Sequence, residues 1–224
     1  MIIEKLDQQL NMIISLLNEL KIEYCIDSGT LLGLIREQKL LSHDLDIDIS
    51  IHESQQIKIK ELMYQLKKNG YKCRILSFYG KKYKYKFWIS NEKRVIDINI
   101  FRQTPNKKLY VCPQPFPVIK AENFIFKNFR KLIRVSFGVM KSIGSEFDLN
   151  NFPWRIGTYH RTWAIPKEYF SSFELLNNDI SIPNAATKYL EFRYGNWKVP
   201  NSNWNFRTDD KGLSGKSPNE FKCF

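Results

Sequence analysis

Acidic and apolar residues alternate along residues 42–51, which read Ser-His-Asp-Leu-Asp-Ile-Asp-Ile-Ser-Ile. A period of two is the pattern of a β-strand, because successive side chains of a strand point to opposite faces of the sheet. The segment therefore predicts a strand over residues 45–51 with one acidic and one apolar face. The acidic face holds Asp44, Asp46 and Asp48, and the apolar face holds Leu45, Ile47, Ile49 and Ile51.

The spacing of apolar residues predicts further helices and strands along most of the first 141 residues. The predicted helices cover residues 2–20, 28–37, 54–68 and 121–141. The other predicted strands cover residues 22–26, 71–79, 83–90 and 94–101. Residues 103–117 are rich in proline, which favours a loop. Residues 145–224 are rich in Trp, Asn and Pro and show little periodicity.

Three carboxylates on one face of a strand repel one another, because like charges two residues apart lie only about 7 Å from each other. A bound cation would neutralise them. Hard divalent ions that prefer oxygen ligands, Mg²⁺ or Mn²⁺, fit such a row best. The alternative is a solvated edge strand whose outward charges prevent pairing with other chains.

A Ser-Gly-Thr turn at residues 28–30 precedes a predicted helix. Gly29 has no Cβ, so the backbone can approach a phosphate closely. Ser28 or Thr30 can cap the helix, and the free N–H groups at its start favour an anion. Arg36, further along the same helix, is a candidate phosphate ligand. Such turns are common, so the interpretation depends on the acidic strand that follows.

A single aspartate, Asp97, interrupts the apolar strand predicted at residues 94–101. A carboxylate in such a run is costly unless it is paired or bound to a metal. It could pair with Arg94 or a nearby lysine, but we favour a role as metal ligand or base. Together with Asp46 and Asp48 it would form a two-metal site for phosphoryl chemistry.

The formal net charge of +12 suggests an anionic partner. No helix-turn-helix, zinc-finger or RNA-binding motif is visible, so no specific nucleic acid is expected. Residues 81–88 alternate lysine with aromatic residues, as an exposed strand would. Residues 124–137 form a basic amphipathic helix candidate. It could touch an anionic membrane or line a nucleotide diphosphate pocket, and we favour core packing for its aromatic side chains.

The same sequence gives expectations about the cellular compartment. It contains no apolar run of about 18 residues, so no transmembrane helix is expected. Its first residues do not show the pattern of a signal peptide. The four cysteines are scattered without metal-binding spacing, which favours free thiols. We therefore expect a cytoplasmic protein, with peripheral contact at the inner face of the membrane as an option.

Several of these motifs, in this order, resemble the nucleotidyltransferase fold of the DNA polymerase β type. Residues 27–33 and 43–48 and the distal run at 189–197 are similar, more narrowly, to the LicD/fukutin family. The resemblance covers roughly residues 20–100 and 150–210. Arg36 and Pro200 also match the family pattern.

Two positions depart from this pattern. Leu45 interrupts the run of acids that many members carry, and Asn196 replaces the Asp of a Tyr-Gly-Asp-Trp motif. The first departure leaves the Asp-x-Asp pair intact. The second removes a charge at its position.

The resemblance implies an α+β fold in which helices flank a mixed, nucleotidyltransferase-like sheet. An irregular, aromatic-rich C-terminal half would close the active site. Residues 1–224 would form a single catalytic unit, with a core at 1–102 and a helical or irregular acceptor-side region at 103–224.

The resemblance also implies an activity. Family members are phosphotransferases that move a phosphoryl-alcohol group, such as phosphocholine or a polyol phosphate, from a CDP-linked donor to a sugar. The acceptor here would be a hydroxyl of a cell-surface glycan, free or lipid-linked. One alternative is a nucleotidyltransferase that transfers NMP from an NTP. Another is a non-catalytic, basic protein that binds membrane surfaces or nucleic acid.

The site predicted on this basis has two groups of residues. Asp46, Asp48 and Asp97 would hold two Mg²⁺ or Mn²⁺ ions and carry the catalysis, and Ser28, Gly29, Thr30 and Arg36 would bind the donor. Further candidates are Asp27, His43, Asp44, His160, Tyr194 and Trp197. Tyr194, Trp197 and Trp204 could stack on the base, wall off the acceptor or simply pack the core. His43 could orient an acid or stabilise a turn.

Overall fold

The structure, a computed structural model, describes residues 7–117, 146–148, 158–177 and 179–223. The helix predicted at 121–141 and the basic segment at 124–137 lie outside the described residues. For residues 115–117, 146–148 and 158–160 the description covers the backbone alone.

Helices of the first half follow the predicted apolar spacing. They are α1 (Gln8–Glu19), α2 (Ser28–Glu37) and α3 (Ile59–Lys68). The bounds predicted for α2 are confirmed. Helix α1 begins after Asp7, whose carboxylate accepts hydrogen bonds from the backbone N–H groups of Gln9 and Leu10. The helix predicted at 54–68 is divided, because Glu53–Lys58 form a 3₁₀ helix.

Strands occur in both halves of the chain. They are β1 (Cys25–Ile26), β2 (Asp46–His52), β3 (Lys72–Phe78), β4 (Lys81–Trp88), β5 (Val95–Gln103), β6 (Leu109–Pro117), β7 (Glu146–Asp148), β8 (Thr158–Pro166), β9 (Phe173–Leu176), β10 (Ile180–Pro183) and β11 (Leu213–Ser214). Nine of these described strands form one sheet, and β9 and β10 form a separate hairpin.

The large sheet is mixed in direction. Its main path runs β11-β8-β6-β5-β4-β3-β7, and β2 joins it by pairing with β5. The pairs β2–β5 and β3–β7 are parallel, and the other pairs are antiparallel. This arrangement confirms the predicted class, an α+β fold with a mixed sheet flanked by helices.

Strand β5 joins the two halves of the sheet. Residues 95–101 pair with β2, and Arg102 and Gln103 pair with β6. The sheet therefore continues across residue 102, which is the predicted boundary between the nucleotidyltransferase-like core region and the acceptor-side region.

The loop predicted at residues 103–117 is wrong, because residues 109–117 form β6. Pro113, Pro115 and Pro117 occupy every second position, so their missing N–H groups all face the same side of the strand. The pairing with β8 extends to Pro117, whereas the pairing with β5 ends at Val111. The prolines therefore cost no hydrogen bond on the side where the strand is paired.

The region from residue 158 onward is more regular than its weak periodicity suggested. Beyond its strands it contains the helices α4 (Lys167–Phe170) and α5 (Ala186–Tyr194), and a 3₁₀ helix at Pro218–Phe221. Strand β8 pairs with both β6 and β11. In the described ranges, no helix combines the length and hydrophobicity needed to cross a lipid bilayer.

Strand β2 places its apolar face in the core, as the alternation predicts. Ile47, Ile49 and Ile51 are completely buried. Leu45 departs from the prediction and is 56% exposed. The strand begins only at Asp46, so the pleat does not direct Leu45 toward the core.

Strand β4 is not the exposed strand that the alternation of lysine and aromatic residues at 81–88 suggested. It lies between β3 and β5 and is therefore an interior strand of the sheet. Tyr83, Tyr85 and Phe87 are buried on one face, and Lys84 on the other face is only 7% exposed. An alternation that resembles an exposed strand is thus compatible with an interior position, provided that the lysines have buried partners.

We expect Gly33→Ala to lower the free energy of unfolding. A Cβ at Gly33 would lie 2.6 Å from the carbonyl oxygen of Lys39 and 3.0 Å from the backbone nitrogen of Leu41. Alanine gains up to about 1 kcal/mol in helix propensity, but contact with backbone that cannot rotate away should leave a net loss of roughly 1–2 kcal/mol. Denaturant titration measures this. Gly215→Ala, where a Cβ meets nothing within 4 Å, is the control, and equal effects would contradict the packing argument.

Candidate active site

The parallel pairing of β2 with β5 brings the predicted acids together. Asp48 lies directly opposite Asp97 in this register, and Asp46 lies two residues earlier on the same face of β2. All three side chains line one cavity of about 870 Å³. A cavity of this size accommodates a nucleotide-sized ligand.

The cavity collects residues from both halves of the chain. Its lining includes the predicted residues Ser28, Gly29, Arg36, His43, Asp44, Asp46, Asp48, Asp97, Tyr194 and Trp197. It also includes Trp204, Asn196 and residues to which the sequence interpretation gave no role, among them Lys84, Lys86, Gln114, Trp163, Arg193 and Asp210.

Three predicted residues do not line the cavity with a described side chain. Asp27 is completely buried beneath it. Thr30 is also buried, and its hydroxyl accepts a hydrogen bond of 2.9 Å from the backbone N–H of Asp48. Thr30 therefore holds β2 against α2. His160 belongs to β8, and its side chain lies outside the described part of the structure.

The start of α2 is held in an uncommon conformation. Ser28 has a φ of +52°, in the left-handed region that side chains other than glycine rarely adopt. Its backbone N–H donates to Asp27 Oδ1 at 2.6 Å, which caps the helix. The carboxylate of Asp44 packs against Gly29 so closely that a Cβ would overlap it. In this structure the Asp44 carboxylate thus occupies the place beside Gly29 where the sequence predicts a phosphate.

The paired acids of β2 carry charge that the protein does not neutralise well. Burial, followed by repulsion from Asp97, raises the pKa of Asp46 and raises that of Asp48 well above its usual range. No hydrogen bond to either carboxylate is found within the described residues. A cation bound beside Asp46 and Asp48 would offset both the burial of their charges and the repulsion from Asp97.

Asp97 is bound by two lysines from the neighbouring strand β4. Its Oδ2 accepts hydrogen bonds from Lys84 Nζ at 3.1 Å and from Lys86 Nζ at 2.6 Å. Burial opposes the charge of Lys84, but attraction to Asp97 and Asp48 outweighs burial and raises its pKa to about 12. The sequence left open whether Asp97 pairs with Arg94 or a lysine, and the structure shows lysines. Arg94 pairs with Asp7.

The donor set fits a magnesium-type ion that keeps several waters. Within the described residues no three His, Cys, Asp or Glu side chains form a ready-made metal cluster. Asp97 Oδ1 is buried and has no hydrogen-bond partner among the residues that the structure describes, which leaves it available beside Asp46 and Asp48. Mg²⁺ is commonly bound through one or two carboxylates plus substrate phosphates, so this sparse set is compatible with it.

A buried arginine joins the cavity floor to the C-terminal half. Arg193 on α5 donates from Nη1 to Asp27 Oδ1 at 3.1 Å and to the hydroxyl of Ser28 at 2.9 Å. Its Nε and Nη2 bind the two carboxylate oxygens of Asp210 at 3.2 and 2.5 Å. Tyr189, one turn earlier on α5, donates to Asp27 Oδ1 at 2.7 Å. The spacing of Tyr189 and Arg193 was the signal in the sequence that their side chains share one helix face.

Aromatic side chains form the opposite wall of the cavity. The rings of Tyr194 and Trp204 lie 4.8 Å apart, and the guanidinium of Arg193 lies 5.1 Å from the ring centre of Trp163. The indole nitrogens of Trp163 and Trp204 are buried without a hydrogen-bond partner in the described residues. Arg36 reaches this wall, because its Nη1 donates to the carbonyl oxygen of Trp197 at 3.2 Å.

One protein family matches the region that contains α2, β2 and β5. Its sequence model, described as LicD/FKTN/FKRP, nucleotidyltransferase domain, matches residues 21–142, more than half of the chain. The chain belongs to this family, which confirms the resemblance found in its motifs. Family membership supports a transferase as the class of enzyme.

Two curated relatives are uncharacterized proteins of Rickettsia. One, from Rickettsia typhi (strain ATCC VR-144 / Wilmington), is 29% identical over 113 residues, which are 50% of this chain and 32% of the relative. Another, from Rickettsia prowazekii (strain Madrid E), is 33% identical over 95 residues, which are 42% of this chain and 32% of the relative. The chain thus spans about a third of the length of these relatives.

Solved structures of antibiotic-modifying proteins are distantly similar. The lincosamide antibiotic adenylyltransferase LnuA, with lincomycin bound, is 13% identical, with a TM-score of 0.44 over 93% of this chain and 97% of that one. ANT(2″)-Ia, in complex with adenylyl-2″-tobramycin, is 14% identical, with a TM-score of 0.33 over 46% of this chain and 52% of that one.

We expect Asp48→Asn to stabilise the metal-free protein at neutral pH and not at acidic pH. The pKa of Asp48 is raised in the folded state, so its charge costs stability wherever the carboxylate is ionised in the unfolded chain. That cost is absent below the unfolded pKa of about 4 and grows as the pH rises toward the folded pKa. Chemical denaturation with a chelator, at about pH 7 and about pH 3.5, measures the difference.

Asp209→Asn provides the control for the opposite sign. Hydrogen bonds from the backbone of Asn205 and from Thr208 lower the pKa of this exposed carboxylate. Its removal should therefore not stabilise the protein at neutral pH. A gain from Asp48→Asn that persists unchanged at acidic pH would contradict the electrostatic explanation.

Proposed function

We propose that this protein is a metal-dependent phosphotransferase that moves a phosphoryl-alcohol group from a CDP-linked donor to a glycan hydroxyl. One observation carries the proposal. Asp46, Asp48 and Asp97 line the same cavity as the start of α2, two lysines and an aromatic wall. Carboxylates for a divalent cation, donors for phosphate and a surface for a base are thus present in one place.

Asp46 and Asp48, with Oδ1 of Asp97, would hold the divalent ion, Mg²⁺ or Mn²⁺. Bound there, the ion would supply positive charge to the phosphate oxygens and to the leaving group. The sequence predicts two ions of this kind.

The donor phosphates are bound by groups at one end of the cavity. Backbone N–H groups at the start of α2, beside Ser28 and Gly29, favour an anion, and they become available when Asp44 moves aside. Within the described residues the Nε–H of Arg36 has no hydrogen-bond partner, and the side chain is 14% exposed and lines the cavity, so Arg36 can donate to the diphosphate.

The acceptor hydroxyl attacks the phosphorus that carries the alcohol group, in line with the bond that breaks. The new P–O bond forms as the bond to CMP breaks, and CMP leaves with that electron pair. Asp97 Oδ1 is also the candidate acceptor of the hydroxyl proton, through a lone pair that the ion does not use, because Oδ2 is already bound by Lys84 and Lys86.

The aromatic wall is assigned to the base or the acceptor sugar. Tyr194, Trp197 and Trp204 present ring faces that can stack on either. The acceptor would be a cell-surface glycan precursor, free or lipid-linked, handled on the cytoplasmic side of the membrane. Peripheral contact with anionic lipid remains part of this proposal, and no specific nucleic acid is expected.

A nucleotidyltransferase is the second candidate. The description of the family, a nucleotidyltransferase domain, favours it, since that chemistry uses the same acids on the α-phosphate of an NTP. A non-catalytic binder is disfavoured, because a silent protein has no use for one buried and two half-buried acids in a lined cavity.

We expect CMP release from a CDP-linked alcohol and no pyrophosphate release from an NTP. The protein is incubated with Mg²⁺ and either CDP-alcohols, CDP-sugars or NTPs, and the nucleotides are separated by chromatography. Asp48→Asn should reduce CMP release more than tenfold, a barrier increase of over about 1.4 kcal/mol. Asp209→Asn, with the same change on an exposed loop, is the matched control.

The two candidates give different products. Pyrophosphate from an NTP, with a nucleoside monophosphate added to the acceptor by mass, would replace the phosphotransferase with the nucleotidyltransferase. If no donor gave either CMP or pyrophosphate, both candidate functions would be contradicted.

A further inference from the structure

The lysines of β4 bind one oxygen of Asp97, a carboxylate that the sequence predicts as a ligand of two metal ions. Lys84 and Lys86 both donate to Oδ2 of Asp97, at 3.1 and 2.6 Å. The register of β4 and β5 sets this contact, since Lys86 lies directly opposite Asp97 and Lys84 opposite Asn99. The Asp97 side chain is 3% exposed, so its partners cannot be exchanged for water without cost.

Two-metal sites depend on carboxylates that both ions can share. Here one oxygen of Asp97 is committed to two ammonium groups, and only Oδ1 is left. Within the described ranges no three His, Cys, Asp or Glu side chains form a ready-made metal cluster. Asp46, Asp48 and Oδ1 of Asp97 thus suffice for one ion that retains water, and not for two.

The two lysines differ in what they can reach. The side chain of Lys84 is 9% exposed, and it lies 5.8 Å from the ring centre of Trp163. The side chain of Lys86 is 29% exposed and lines the cavity. An ammonium group has three N–H donors, so Lys86 keeps donors for a phosphate after binding Asp97.

We propose that Lys84 and Lys86 take the place of the second metal ion. The site binds one divalent cation at Asp46 and Asp48, and the lysine pair supplies fixed positive charge to the donor diphosphate from the side of Asp97. This inference rests on the proposed function for its diphosphate ligand, and it replaces the two ions that the sequence predicts. Lys86 contacts the phosphate, and Lys84 holds Asp97 in place.

The test counts ions and measures nucleotide affinity without using turnover. Bound Mn²⁺ is counted by electron paramagnetic resonance in the presence of saturating CDP, and CDP affinity is measured calorimetrically with a chelator present. We expect one Mn²⁺ per wild-type chain. In Lys86→Gln we expect metal-free CDP affinity to fall and Mn²⁺ affinity to rise, each by about tenfold, because one nearby positive charge is lost.

Lys108→Gln is the matched control, since it removes the same charge from an exposed residue before β6. It should change neither affinity. A purely structural lysine pair would show a lower melting temperature in Lys86→Gln, with Mn²⁺ and CDP affinities unchanged, and that result would overturn the inference.

Two outcomes separate this inference from the proposed function. Two Mn²⁺ ions per wild-type chain would overturn the inference and leave the phosphotransferase standing. A wild-type chain that binds neither Mn²⁺ nor CDP would overturn both.

Discussion

The contact between Arg193 and Asp27 is the interaction on which the arrangement of this site depends. Asp27 caps α2, and its carboxylate also accepts hydrogen bonds from Ser50 and Tyr189. Arg193 brings α5 and the segment containing Asp210 to the same point. Removing the guanidinium would leave two buried carboxylates without a counter-charge, a cost of about 3–5 kcal/mol in comparable buried pairs. Arg193 therefore links the helix start that faces the cavity to the wall that covers it.

A second balance of charge operates inside the cavity. Burial and repulsion from Asp97 make the ionised forms of Asp46 and Asp48 costly, and the lysines of β4, which bind Asp97 directly, offset this cost only in part. The protein thus keeps an acidic face on β2 that a bound cation can stabilise, beside cationic groups that favour a phosphate. A site arranged in this way gains more from binding metal and anion together than from either one.

Local patterns in the sequence predicted the parts of the site that lie on one element. The alternation at residues 45–51 gave the acidic face of β2, and the turn at residues 28–30 gave the start of α2. The contacts of Lys84, Arg193 and Asp210 could not be predicted in the same way. They depend on which strand lies beside β5 and on α5 packing against α2, both of which are decided by distant parts of the chain. The strand β6 was missed because its prolines suggest a loop, and only its one-sided pairing explains them.

A crystal structure of the protein with Mn²⁺ and an unreactive CDP-linked donor would show directly whether Asp46 and Asp48 bind the ion beside the donor diphosphate. Anomalous diffraction at the manganese edge locates the ion without reference to the protein model. We expect an anomalous peak between the carboxylates of Asp46 and Asp48. The diphosphate should lie beside it in the cavity, with the base against the wall that includes Trp204. A nucleotide bound outside this cavity, or a manganese peak away from β2, would contradict this arrangement.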